Sequence, residues 1–252
     1  MRYIKGFYMA LGMFMAVPLP FHIWDEKLTS VMIAQLPVIG IIVGAVWWGI
    51  GLLFLTLDLP IVIVSAVMTI IPFLVAGFIH LDGYMDTSDA LLSYRPYEDK
   101  LRILKDPNVG AFAVIMLVIL FILQFASVYT IADGGRYLAL LIAICVISRA
   151  CSAFAIFALR HMPGSNYTAM LGDNTGGGVK IFAGIMMFAT ICLSFIYAGF
   201  TGLIVSAAVV LGYSLALRKA YKAFKGVSGD LLGYSSVIGE VCGLIALALL
   251  QR

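Results

Sequence analysis

The stretch VMIAQLPVIGIIVGAVWWGIGLLFLT, residues 31–56, contains no Asp, Glu, Lys or Arg. A helix crosses the hydrocarbon core of a bilayer with about 20 consecutive apolar residues. This run exceeds that length, so it reads as a transmembrane helix. Outward from it, residues 60–79, 111–131, 137–159, 180–199 and 202–217 read the same way, as does a last apolar helix ending at Arg252. Residues 4–20 are barely long enough to cross and end at Pro18-Leu-Pro20. They are expected to form an interfacial or re-entrant segment. The fold class is therefore an all-α integral membrane protein, a polytopic bundle of about seven transmembrane helices plus that N-terminal segment, forming one domain over residues 1–252.

Composition agrees. Hydrophobic residues make up 63% of the chain and charged ones 12%, against roughly 25% charged in a typical soluble domain. Mean hydropathy is +1.07. Short alternating segments that would mark a β-barrel are missing, and so is the dense basic patch with interleaved aromatics that would mark nucleic-acid binding. Cys145, Cys151, Cys192 and Cys242 all fall inside apolar segments without a CxxC pair, so they read as packing residues. Arg2 and Lys5 ahead of FYMALGMFMAVPL outline a signal peptide. Pro18 and Pro20 follow with no A-x-A-like cleavage site, so the segment is expected to be retained.

Charge bias sets the expected orientation. Segments 80–110, 160–180 and 218–230 alternate with tight turns and must share one side. They hold most of the Lys and Arg, whereas the opposite turns hold only Arg136 and Arg252. By the positive-inside tendency the three charged loops face the cytoplasm, in a cell inner membrane.

The first of these loops, HLDGYMDTSDALLSYRPYEDKLRILKDPNVG at 80–110, is the densest in charge. Asp82, Asp86 and Asp89 are spaced i, i+4, i+7, so on a helix they share a face. Two carboxylates about 6 Å apart repel by roughly 3 kcal/mol at an effective dielectric near 20. Three on one face near a membrane need protonation, basic partners or a cation. Hard oxygen ligands beside a phosphate suit Mg²⁺ or Mn²⁺. The plainer alternative is helix-start charge, with Thr87 or Ser88 as the cap.

The run HLDGYMDTSDALLS, followed by KLRILKDPNVGAF, resembles the signature of the cobalamin synthase (adenosylcobinamide-GDP ribazoletransferase) family. FYMALGMFMAVPLP and QLPVIGIIVGAV are similar to the family's start, ISRACSAF to its middle and GVSGDLLGYSSVIGEV to its end. Ala16 stands where an Arg is common in the family, and Pro107-Asn108 replaces a usual Ser-Arg. The resemblance implies a Mg²⁺-dependent transfer joining adenosylcobinamide-GDP to α-ribazole or its 5′-phosphate, with release of GMP. It implies Asp82, Asp86 and Asp89 as metal ligands and catalytic groups, one of them acting as base. Beside them stand His80, which would orient a carboxylate or contact phosphate, and Glu240.

Lys105, Asp106, Arg149 and Asp230 complete the candidate site as substrate-binding residues. Each has a plainer reading. Lys105 and Arg149 are candidates for ion pairs with Asp106, Asp230 for a helix cap, and Glu240 for a partner of Arg149. Glu240 sits in SVIGEVCGLIAL and Arg149 in ISRACSAF, apolar settings where charge is costly. Gly226, Gly229, Gly233 and Gly239 would let a ligand approach the backbone, and PGSNYTAMLGDNTGGG would serve as a flap over the corrinoid. A CDP-alcohol phosphotransferase would show D-G-x-x-A-R, which Asp82-Gly83 does not begin. A transporter would place its acids near the bilayer midplane, not at one face. Contacts are expected with these small molecules and with membrane lipid, none with nucleic acid; a homo-oligomer is compatible with the sequence.

Overall fold

A computed structural model describes residues 1–165, 171 and 176–251. Eleven α-helices lie in the described residues. In chain order α1 is Arg2–Phe14, α2 Thr29–Ala34, α3 Leu36–Thr56 and α4 Ile61–Val75. Next come α5 Ile79–Leu92, α6 Tyr97–Ile103, α7 Ala111–Gly134 and α8 Leu140–Ala158. The last three are α9 Gly177–Ala198, α10 Phe200–Phe224 and α11 Gly229–Leu249. Among them 6 are long and apolar enough to cross a membrane, or up to 7 when α4 and α5 count as one bent span. The polytopic all-α reading holds.

The expected 60–79 span ends early. α4 has 15 residues, about 22 Å at 1.5 Å per residue, and the chain then turns through 93° into α5. The turn falls at Gly77 and Phe78, both left-handed with φ of 66° and 61°. It lays the polar helix α5 against α7 and α11, away from the direction of α4. Two more boundaries differ. Most of the 80–110 loop is helical, and the basic run Arg218–Lys222 belongs to the last turns of α10. α1 has only 13 residues and buries Gly6, Met9, Ala10 and Phe14 along one face.

Small residues set the packing. A Cβ on Gly40 would stand 2.7 Å from the Cys145 carbonyl oxygen, and one on Gly44 2.5 Å from the Ile142 Cα. α3 and α8 therefore meet backbone to backbone, as G-x-x-x-G spacing allows in lipid. Burial is deepest in α8 and α11, where 78% of each apolar window lies inside the bundle. These two helices are the axis around which the others stand. The four cysteines are free.

The charged segments converge at one end. Met162 N–H donates to the Val227 carbonyl at 2.9 Å and Val227 N–H to the Arg160 carbonyl at 2.9 Å, clasping the chain after α8 to the chain before α11. Lys225 Nζ lies 4.1 Å from the centre of the Tyr97 ring, tying α6 to the end of α10. At the far end, the Gln251 side chain bonds the backbone of Arg136.

Candidate active site

At the charged end a cavity of about 480 Å³ opens between α5, α11, α1 and the 104–105 and 162–165 segments. Its polar wall includes His80, Asp82, Lys105, Ser152, Ser228 and Asp230. Two glycines fix the frame. A Cβ on Gly83 would stand 2.8 Å from both the Cα and the carbonyl oxygen of Asp230, and one on Gly233 3.1 Å from the His80 carbonyl oxygen. Hydrogen at Gly83 is what lets α5 and α11 approach this closely, and Gly233 leaves a tight fit against His80. That approach brings Asp82 and Asp230, far apart in sequence, to the lining of one cavity.

The local sequence explains the geometry. Ser228 is the N-cap of α11, accepting from the Leu231 N–H at 3.5 Å and donating to Asp230 Oδ2 at 3.4 Å. Asp230 thus sits in the first turn and Ser228, not Asp230, is the cap. The open N-terminal amides of α11 favour negative charge beside them. Asp86 is not on the cavity wall; it lies within electrostatic reach of Asp82, Asp230 and Asp89. Lys105 is exposed at the rim, its ammonium beside Gly164.

The remaining expected residues are placed elsewhere. Asp89 turns to α7, where its Oδ1 accepts from the Ala113 N–H at 3.3 Å. That donor is one of the amides a helix start leaves open, and a side chain at Gly110 would collide with the same carboxylate. Asp106 faces solvent and accepts from both the backbone N–H of Asn108, at 2.9 Å, and its side-chain amide, at 2.8 Å. These bonds, with the backbone one leading, hold its pKa below the usual carboxylate value. Thr87 and Ser88 are buried inside α5 and cap nothing. Among the described residues no group of three His, Cys, Asp or Glu side chains converges as metal ligands.

Arg149 and Glu240 meet each other, as the plainer reading of Glu240 expected. Arg149 Nη1 lies 2.7 Å from Glu240 Oε1, with the two side chains 2% and 10% exposed. Ser148 donates to the same oxygen at 2.6 Å, and Arg149 also reaches the Cys145 carbonyl at 3.1 Å. The pair lies mid-helix in α8 and α11, inside the bundle and away from the helix ends. Mutual neutralisation is what lets two charges persist at that depth.

Of the glycines expected to admit a ligand, Gly226, Gly233 and Gly239 abut other backbone, and Gly229 and Gly233 line the cavity. Most of the glycine-rich flap lies outside the described residues. Sequence reasoning missed Ser228 and Ser152. Ser228 carried a readable signal, the N-cap position in GVSGD. Ser152 shares hydrogen bonds with Tyr213 at 3.1 Å and Ser236 at 3.0 Å, a tertiary arrangement with no local signature.

Fold and cavity define a multi-pass membrane protein with a carboxylate-walled site at one end. More particularly, the chain belongs to the cobalamin-5-phosphate synthase family, which matches residues 6–248. It is 38% identical over 246 residues to an adenosylcobinamide-GDP ribazoletransferase of Clostridium botulinum (strain Alaska E43 / Type E3), covering 97% of each chain. It is 34% identical over 249 residues to one of Clostridium perfringens (strain ATCC 13124), covering 98% of this chain and 99% of the relative. A Geobacillus kaustophilus relative of the same name is 30% identical over 234 residues, covering 91% and 89%. No solved structure matches the chain. The protein is a membrane-embedded transferase of cobalamin biosynthesis.

Proposed function

We propose that this chain joins adenosylcobinamide-GDP to α-ribazole, or to α-ribazole 5′-phosphate, giving adenosylcobalamin or its 5′-phosphate and GMP. The observation that carries the reading is that Asp82 and Asp230 line one cavity together with Lys105, in a member of this family. A ribose hydroxyl of the acceptor attacks the corrinoid-linked phosphorus. The bond from that phosphorus to the bridging oxygen breaks, and GMP leaves with the electron pair. The hydroxyl proton passes to a carboxylate of the Asp82, Asp86 and Asp230 group. Such transfers rely on in-line positioning and charge neutralisation. Lys105 supplies positive charge to the diphosphate, and His80 lines the same cavity as Asp82.

The donor chemistry fits Mg²⁺. This ion commonly takes one or two carboxylates, with substrate phosphates and waters completing the shell. Asp82 and Asp230 would hold it, with Asp86 beside them, while Asp89 is engaged at α7. When bound, the ion supplies neutralisation of the charge that develops on the departing phosphate. The cavity end carries Arg218, Lys219, Lys222 and Lys225, which supports a cytoplasmic face in the inner membrane.

Proteoliposomes supplied with adenosylcobinamide-GDP, α-ribazole and Mg²⁺ are expected to release GMP and the cobalamin product in equal amounts, and to stop on chelation. Folded protein that forms neither product overturns the reading.

A further inference from the structure

The lining of the acidic cavity is graded from charge to hydrocarbon. Asp82 and Lys105 are exposed, and His80 and Asp230 are half-buried. Phe14, Leu36, Ile156 and Leu232 line the same cavity, each 6% exposed or less. They come from α1, α3, α8 and α11, so four helices build its deeper, apolar part. Ser152 lies there too, 5% exposed and one turn before Ile156 on α8. Its hydroxyl is held at 3.1 Å by the Tyr213 hydroxyl of α10 and at 3.0 Å by the Ser236 hydroxyl of α11. A serine hydroxyl can enter three hydrogen bonds, one as donor and two as acceptor. Two partners leave one bond for a group in the cavity. The other buried hydroxyls of the lining sit apart from this wall, Ser228 as the cap of α11 and Ser165 in the chain after α8.

We infer that the deeper part of the cavity seats the base of the acceptor nucleoside, with Ser152 donating to its free ring nitrogen and the ribose toward the carboxylates. Tyr213 and Ser236 then donate to Ser152 and fix its orientation. The inference rests on the transfer proposed above and says which substrate takes the apolar end. Two bases compete for that seat. Guanine, in the donor, carries a carbonyl, an amino group and several ring nitrogens. Against Phe14, Leu36, Ile156 and Leu232 most of these would lose their partners, at about 1–3 kcal/mol for each group. The benzimidazole of α-ribazole offers a fused hydrocarbon ring and a single unsubstituted nitrogen, which is an acceptor. One preset hydroxyl among apolar walls matches that inventory. A lipid chain matches the walls but has no group for the hydroxyl.

A matched pair of acceptors tests the seat: α-ribazole, and its analogue with C–H in place of the free ring nitrogen. By calorimetry, wild-type protein in detergent should bind the analogue about three- to tenfold more weakly, the loss of one neutral hydrogen bond. Ser152→Ala should bind the two alike, with its KM for adenosylcobinamide-GDP unchanged. Calorimetry needs no turnover, so acceptor binding with this preference but without transfer would defeat the reaction proposed above and leave the seat standing. No binding of α-ribazole by wild type, or equal binding of the two acceptors, overturns the assignment. That comparison needs no variant, so it holds even where Ser152→Ala fails to fold. A folded Ser152→Ala protein that keeps the full preference also overturns it. So does one whose KM rises for adenosylcobinamide-GDP and not for α-ribazole, the result a guanine seat would give.

Discussion

Gly83 of α5 lies against Asp230 of α11 so closely that a Cβ would stand 2.8 Å from the Asp230 Cα. One missing side chain thus sets the spacing of two carboxylates from different parts of the chain. Gly83→Ala puts a methyl group against backbone that cannot rotate away. Overpacking of this kind costs about 1–3 kcal/mol, and a displacement near 1 Å can cost about a hundredfold in rate. Turnover in proteoliposomes should fall accordingly. Gly49→Ala, with nothing within 4 Å of the new atom, should match wild type in the same assay.

Asp89 and Asp82 separate by role. Asp89→Ala removes the acceptor at the start of α7 and should destabilise the protein by about 1 kcal/mol, visible as a lower unfolding midpoint in detergent. Its turnover per folded molecule should stay near wild type. Full loss of turnover in a folded Asp89→Ala protein would return this residue to the reaction site.

The buried pair makes a thermodynamic prediction. Glu240→Ala alone leaves Arg149 charged and unpartnered in the bundle, at a cost of about 3–5 kcal/mol. Replacing both, as Arg149→Met with Glu240→Leu, should recover most of that loss. Unfolding midpoints of the two singles and the double close the cycle. Additive losses would show that the two residues do not act as a pair.

Asp106 carries a pH signature. Its folded pKa lies below the ordinary value, so its contribution to the 106–108 turn is present at neutral pH and lost as pH falls through that depressed pKa. Asn108→Ala should move the carboxyl titration upward, toward the ordinary carboxylate value, read by carboxyl NMR. Transfer activity at neutral pH should not change.

The spans were legible because lipid leaves backbone groups no partner but their own helix, so apolar length alone reports them. The bend at Gly77–Phe78 was not legible. It lies inside the apolar run VAGFI, and left-handed backbone there leaves no polar mark. Helical spacing put Asp82 and Asp89 both within electrostatic reach of Asp86, but the bond from Asp89 to the start of α7, which begins 22 residues later at Ala111, left no mark in that spacing. Asp230 joined the cavity through two glycine contacts that only the folded pair reveals. The costliness of charge in hydrocarbon rightly marked Glu240 and Arg149 as unusual, without distinguishing a substrate partner from each other.

Turnover of the carboxylate variants tests the account most directly. Asp82→Asn and Asp230→Asn, each folded in proteoliposomes with adenosylcobinamide-GDP, α-ribazole and Mg²⁺, should release GMP roughly 10²–10³-fold more slowly than wild type. Wild-type GMP release from either folded variant would contradict the cavity carboxylates as the centre of the reaction.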